Sequence, residues 1–146
     1  MKYKPDSTDW AILDLLVKEH ISNNEVSRRL GLSEGTVRRR IKLLRKAGIM
    51  HTRALLDPNT LENKQLVIIL ANVTEAHNLS KIAEEVNTLE NVLSVSLISG
   101  QHDLMIEVLV NSNRGLVDFL GDELASIKGI ARTETSLVLK SHGKYI

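Results

Sequence analysis

Three features of the sequence predict an α+β protein in two parts. Apolar residues recur at helical spacing through the first part, they alternate or run on at strand spacing beyond Asp57-Pro58, and the charge divides between the two. Residues 1–53 hold twelve Lys+Arg against six Asp+Glu, and residues 54–146 hold seven against twelve, so a net charge of +1 hides a cationic front and an anionic rear. One part is suited to a polyanion and the other is not.

The first part reads as three helices. Asp6 and Ser7 are good N-cap types ahead of Trp10, Ile12, Leu13, Leu16 and Val17, which keep helical spacing to near His20. A short second helix follows in "SNNEVSRRLG", with Val26 and Leu30 four apart and Gly31 at the stop. Ser33 supplies the next N-cap, and Val37, Ile41 and Leu44 form the apolar stripe of a third helix that ends at Gly48. The tight Gly-Leu-Ser turn between the last two makes a helix-turn-helix. "IMHTRALLDP" then loses the helical period, and proline disfavours helix in the residue before it, so a hinge strand is expected there.

In the second part "QLVIILANV" is an apolar strand and "HNLSKIAEEVNTL" a helix through Leu79, Ile82, Ala83 and Val86. "VLSVSLIS" and "DLMIEVLV" are strands, "NRGLVDFLGDELASI" is a helix through Leu116, Val117, Leu120 and Leu124, and "ARTETSLVLKSH" is a last strand carrying Leu137 and Leu139. The β-α-β-β-α-β order predicts a ferredoxin-like domain, an antiparallel sheet with both helices on one face. The expected layout is a helix-turn-helix domain over 1–50, a hinge strand and linker over 51–61, and the βαββαβ domain over 62–146. Val67, Ile68, Ile69 and Leu70 make the first strand apolar on both faces, so the face away from the helices needs a cover. A second copy stacked sheet to sheet is the economical cover, with one long helix or a neighbouring domain as alternatives.

Cysteine is absent, which removes disulfides and thiolate metal sites and fits a reducing compartment. No apolar run is long enough to cross a bilayer, and the N-terminus lacks the apolar core of a signal peptide, so a cytoplasmic protein is expected, with no membrane partner. The five histidines are scattered without ligand spacing, and there is no G-x-S-x-G, P-loop, dinucleotide fingerprint or H-E-x-x-H. Ser99, His102 and Asp103 are neighbours in sequence, but a triad is a matter of geometry, and adjacent His and Asp in a turn generally point apart. Neither an enzyme nor a resident cofactor is expected.

The third helix carries the main functional signal. At about 100° per residue, Gly35, Arg39, Lys42 and Lys46 fall opposite the apolar stripe, flanked by Arg38 and Arg45 on one side and Thr36 and Arg40 on the other. Two readings compete: a solvated helix whose arginines snorkel over the core, and a surface laid against phosphates. The second is favoured because no acidic residue intervenes between Glu34 and Asp57, where an ordinary solvated helix mixes signs. Ser33, Glu34, Gly35 and Thr36 at the helix start are small or polar, as close approach to base edges requires. Arg38 and Arg39 are then placed near bases and Lys42, Arg45 and Lys46 near the backbone, with Arg28 and Arg29 of the second helix clamping the other groove edge or simply solvated. Arg40, flanking the packed side, is a candidate structural residue.

In order and spacing, Asp9, Ile12-Leu13, "ISNNEVSRRLGLS", "VRRRIKLLRKAGIM", "ALLDP" and "LISGQHDLMIEV" resemble the Lrp/AsnC (leucine-responsive, feast/famine) family of transcriptional regulators. The resemblance spans nearly the whole chain. It implies a winged or simple helix-turn-helix that binds double-stranded DNA, a hinge strand, and a βαββαβ domain that forms homodimers, often octamers, and binds small effectors, usually amino acids. Where the family usually shows Arg-Leu-Glu, this chain has Leu43-Leu44-Arg45, which makes the helix more basic.

The resemblance places the effector at Gly100, Gln101, His102 and Asp103. Glycine there permits a turn whose N–H groups meet a carboxylate, and Asp103 can hold an amino group, the two ends of an amino acid. A plain β-turn explains the same residues equally well. Thr133 and Thr135, on the strand face of Leu137, are candidates for lining a neighbouring cavity. The function expected is therefore a sequence-specific DNA-binding transcriptional regulator responsive to an amino acid or related metabolite. Its rival is a metabolite-binding assembly protein whose basic segment contacts RNA or an acidic protein partner.

Overall fold

Side-chain caps set the three helices of the first unit in the computed structural model, which describes residues 3–146 and divides into two units after Ala54. Helix α1 (Ser7–Lys18) opens with a reciprocal capping box in which Asp6 accepts from the Asp9 amide at 2.9 Å and Asp9 from the Asp6 amide at 3.1 Å. Ser22 accepts the Glu25 amide at 3.2 Å to start α2 (Asn23–Leu30), and Ser33 accepts the Thr36 amide at 3.1 Å to start α3 (Glu34–Lys46). Between α2 and α3 Gly31 sits at φ 64°, the left-handed stop that glycine adopts without steric cost. Ile12, Val26, Val37 and Ile41 form the small core, with Leu15, Leu16, Ile21, Leu30, Leu32 and Met50 packed around it. Of the expected apolar stripe of α1, Ile12 is buried, whereas Trp10 and Val17 face solvent at 57% and 83% exposure.

The expected hinge strand finds no ladder among the described residues. Residues 50–57 carry no strand pairing, and a 3-10 turn spans Pro58–Thr60. Leu56 alone exchanges two backbone hydrogen bonds, both with Ile146, at 2.9 and 3.0 Å. A strand exists only through a partner, and within one chain this segment has one residue of partner.

The second unit is the four-stranded sheet read from the sequence, with β1 (Gln65–Val73), β2 (Val92–Leu97), β3 (Leu104–Val110) and β4 (Ile130–Leu137) in the order β2-β3-β1-β4. Every neighbouring pair is antiparallel. Alternation along β1 and β3 sends Val67, Ile69, Ala71, Leu104, Ile106, Val108 and Val110 into one core with Ile82 and Val86 of α4 (Leu79–Val86). The last predicted helix is interrupted: α5 (Ser112–Asp118) passes into a π turn over Phe119–Glu123 and a 3-10 turn over Leu124–Ser126. Phe119 and Leu124 are both buried, and five residues at about 100° each would set them about 140° apart on an α-helix. The wider turn, closed by the Leu124 amide on the Phe119 carbonyl, lets both reach the core.

The opposite sheet face carries Ile68, Leu70, Met105 and Leu109, half-buried, together with Glu107. Part of its cover is the chain's own C-terminus, where Lys144 pairs with Glu107. Burial acts to raise the Glu107 pKa, but Lys144 and the Ser94 hydroxyl outweigh it and hold the carboxyl below its ordinary value.

Candidate nucleic-acid interface

One face of α3 is anchored by Val37, Ile41 and Leu44, all buried, and the other presents Gly35, Arg39, Lys42 and Lys46 to solvent. Among the described residues Arg39, Lys42 and Lys46 make no ion pair. The other cations are more engaged than their sequence suggested. Arg38 Nη2 donates to Glu34 Oε1 at 2.5 Å, one turn back on the same helix, and Arg45 Nη2 to Thr52 Oγ1 at 3.0 Å.

Arg28 and Arg29, expected to clamp a groove edge, face carboxylates of their own unit. Arg28 forks onto Glu25 through Nε (3.0 Å) and Nη2 (2.7 Å), and Arg29 reaches Glu25 at 2.7 Å and Glu19 at 2.8 and 3.0 Å. These hydrogen bonds from Arg28 and then Arg29 draw the Glu25 carboxyl down to about 2. Exposed pairs of this kind are weak, because water and salt screen them.

At the start of α3 the Ser33 and Thr36 hydroxyls lie 2.8 Å apart, and Ser33, Glu34 and Gly35 are exposed while Thr36 is half-buried. A Cβ added at Gly35 would meet nothing nearer than Ser33 Oγ at 4.0 Å. The fold does not require glycine there, although it costs about 1 kcal/mol against alanine in a helix interior. The missing side chain leaves the surface open at the start of α3.

Arg40 belongs to the scaffold. Its Nη1 donates to Asp6 Oδ1 and Oδ2 at 2.9 and 2.8 Å and to Asp9 Oδ1 at 2.9 Å, while its buried Nε has no partner among the described residues. Asp9 is 1% exposed and also accepts from the Tyr3 hydroxyl at 2.7 Å. Burial pushes the Asp9 carboxyl up, yet the Tyr3 hydroxyl, the Asp6 amide and the Arg40 guanidinium together outweigh it and leave the carboxyl below its usual range. The sequence marked Asp6 as a cap and Arg40 as structural, but the roles of Tyr3 and of Asp9 as an ion-pair partner had no local signal.

In the second unit the loop residues Gly100, Gln101, His102 and Asp103 come together at one end of the sheet. Gly100 has φ 139°, in the left-handed range that favours glycine. Asn72 Nδ2 donates to the Gln101 carbonyl at 2.9 Å, and Asn72 Oδ1 lies 3.1 Å from His102 Nδ1, whose Nε2 is 3.6 Å from Glu134. Asp103 Oδ2 accepts the Val73 amide at 2.9 Å, at the point where the β1–β4 register shifts. Turn geometry and a polar cluster therefore coincide in the same residues. Thr133 and Thr135 are not part of that cluster: they pair with Ala71 and Ile69 on the helix side of the sheet, whereas Glu134, opposite Leu70, shares the face of His102. Thr133 instead borders a shallow cavity of ≈ 170 Å³ with Leu120, Leu124, Ile127 and Ile130. Asn72 and Glu134 are the neighbours that sequence reasoning missed, because cross-strand register decides them.

The chain matches known proteins along both units. Residues 5–49 match the winged helix-turn-helix DNA-binding family and residues 66–145 the Lrp/AsnC ligand binding domain. It is 35% identical over 134 residues to an uncharacterised HTH-type transcriptional regulator of Pyrococcus furiosus, covering 91% of this chain and 90% of that one. It is 31% identical over 144 residues to the HTH-type transcriptional regulator FL11 of Pyrococcus abyssi, covering 97% and 94%. Its fold is similar to that of the transcriptional regulator NMB0573 of Neisseria meningitidis in complex with L-Met, with TM-score 0.68, 29% identity, and coverage of 94% and 91%.

Proposed function

Since the chain belongs to the Lrp/AsnC family of regulators, which carry a DNA-binding and a ligand-binding domain and are not enzymes, we propose that α3 is the helix through which it binds duplex DNA. Arg38 and Arg39 approach base edges, Lys42, Arg45 and Lys46 neutralise phosphates, Ser33 to Thr36 make the close approach, and Arg28 and Arg29 exchange their carboxylates for the backbone across the groove. The observation that carries this reading is the exposed row of Arg39, Lys42 and Lys46, without ion pairs among the described residues, directly behind a buried anchor.

Two copies present two such helices to successive major grooves about one helical turn apart, on a pseudo-palindromic site. The half-buried Ile68, Leu70, Met105 and Leu109 support pairing of copies through the sheet, with assembly to octamers as a further step. An amino acid or related metabolite is the effector, supported by the L-Met complex of the Neisseria relative and by the cluster of His102, Asp103 and Asn72. It acts by binding one arrangement of copies more tightly than another. No helix among the described residues is long and apolar enough to cross a membrane, which suits a regulator working on DNA in the cytoplasm. Light scattering with each amino acid in turn tests the effector and the assembly together: a mass change with one of them supports both, and a constant monomer mass would remove both.

A further inference from the structure

We infer that Arg40 is a positioning residue that fixes the rotation of α3 about its own axis, and thereby governs sequence discrimination rather than affinity for DNA. The inference rests on the duplex-binding reading of α3. The apolar anchor of Val37, Ile41 and Leu44 holds the helix against the unit, but the hydrophobic driving force has no direction of its own and sets the roll angle less sharply than a hydrogen bond does. The Arg40 contact is directional. One guanidinium nitrogen meets three carboxylate oxygens of Asp6 and Asp9, which belong to the start of α1, 34 and 31 residues away in sequence.

Those oxygens are themselves fixed. Asp6 and Asp9 close the capping box of α1, and Asp9 is buried and further held by the Tyr3 hydroxyl. Arg40 therefore links the recognition face to the most constrained point of the neighbouring helix. Side-chain tips lie about 6 Å from a helix axis, so a roll of about 10° moves them by about 1 Å. That displacement breaks a base-edge hydrogen bond, whose distance window is a few tenths of an ångström, but hardly alters attraction to phosphates, which acts over about 10 Å.

The test uses full-length protein and two labelled duplexes of equal length, one selected by the unaltered chain from a random pool and one of random sequence. Arg40→Lys keeps the charge but shortens the reach and replaces the planar guanidinium by a freely rotating ammonium. It is expected to bind the selected duplex about tenfold more weakly, with affinity and salt slope on the random duplex unchanged. A double change, Arg40→Gln with Asp9→Asn, removes both charges so that no lone carboxylate stays buried, and should show the same loss of preference in a folded protein. Equal losses on both duplexes, after correction for folded fraction, mean that Arg40 only stabilises the unit and overturn the inference. A random-duplex salt slope smaller by about 0.9 identifies Arg40 as a phosphate contact and overturns it too. If the unaltered chain binds neither duplex, the duplex-binding reading itself is what fails.

Discussion

Replacing Arg39, Lys42 and Lys46 together by alanine should flatten the salt dependence of DNA binding while leaving the fold intact. All three side chains are exposed on α3 and make no ion pair among the described residues, so their loss opens no cavity and strands no partner. Each phosphate neutralised contributes about 0.9 to the slope of log affinity against log salt, so Lys42 and Lys46, the phosphate contacts among the three, give about 1.8 for one bound helix and about 3.6 for two. Over the fourfold rise from about 50 to 200 mM salt, about 3.6 corresponds to about 150-fold in affinity. Fluorescence anisotropy of a labelled duplex over a salt series measures the slope, and circular dichroism checks the fold. A change of about 1.8 means one helix engaged and a change of about 3.6 means two. Arg28→Ala, whose guanidinium already serves Glu25, should change the slope by less. A triple variant whose slope stays within about 0.9 of the original would show that α3 does not face phosphates.

Other outcomes follow from single contacts. Gly35→Ala should stabilise the first unit by up to about 1 kcal/mol in thermal or urea unfolding, because a Cβ there has open space, and yet weaken duplex binding. Equal or tighter binding would refute close approach at Gly35. Asp103→Asn keeps an oxygen for the Val73 amide and removes the charge, so folding should persist while any mass or affinity response to amino acids disappears; Asp103→Ala should also cost about 1–3 kcal/mol if that amide is left unpaired. Asp6, Asp9, Glu19 and Glu25 all have carboxyl pKa values depressed by folding, Glu25 from 4.5 to about 2. The unfolded chain therefore takes up protons first on acidification, so the first unit should lose stability progressively as pH falls from about 4.5 towards 2 and gain nothing above that window. Trp10, the one tryptophan of the chain, reports this by fluorescence, and constant stability across the window would contradict the pairings.

The sequence revealed whatever is local. Caps at Asp6 and Ser33, the stop at Gly31, and periods of 3.6 or 2 placed three helices and four strands close to where they lie. Phe119 escaped because its five-residue spacing to Leu124 fits no regular helix and the core imposed a π turn. The hinge strand failed because pairing belongs to a partner and not to the segment. Register, a long-range quantity, puts Thr133 and Thr135 on the helix side of the sheet and Glu134 beside His102, and the strand alternation of the segment alone does not show this. For the same reason two pairings had no local signal: Glu19 reaches Arg29 from ten residues away and Asp6 reaches Arg40 from 34, whereas Arg28–Glu25 and Arg38–Glu34 lie within one helical turn.

Methylation interference on a selected duplex measures the entry of α3 into the major groove most directly, since guanine is modified at N7 in the major groove and adenine at N3 in the minor groove. Interference by N7 methylation at two clusters about 10 base pairs apart is the expected result. Binding blocked only by minor-groove methylation, or by none, would contradict it.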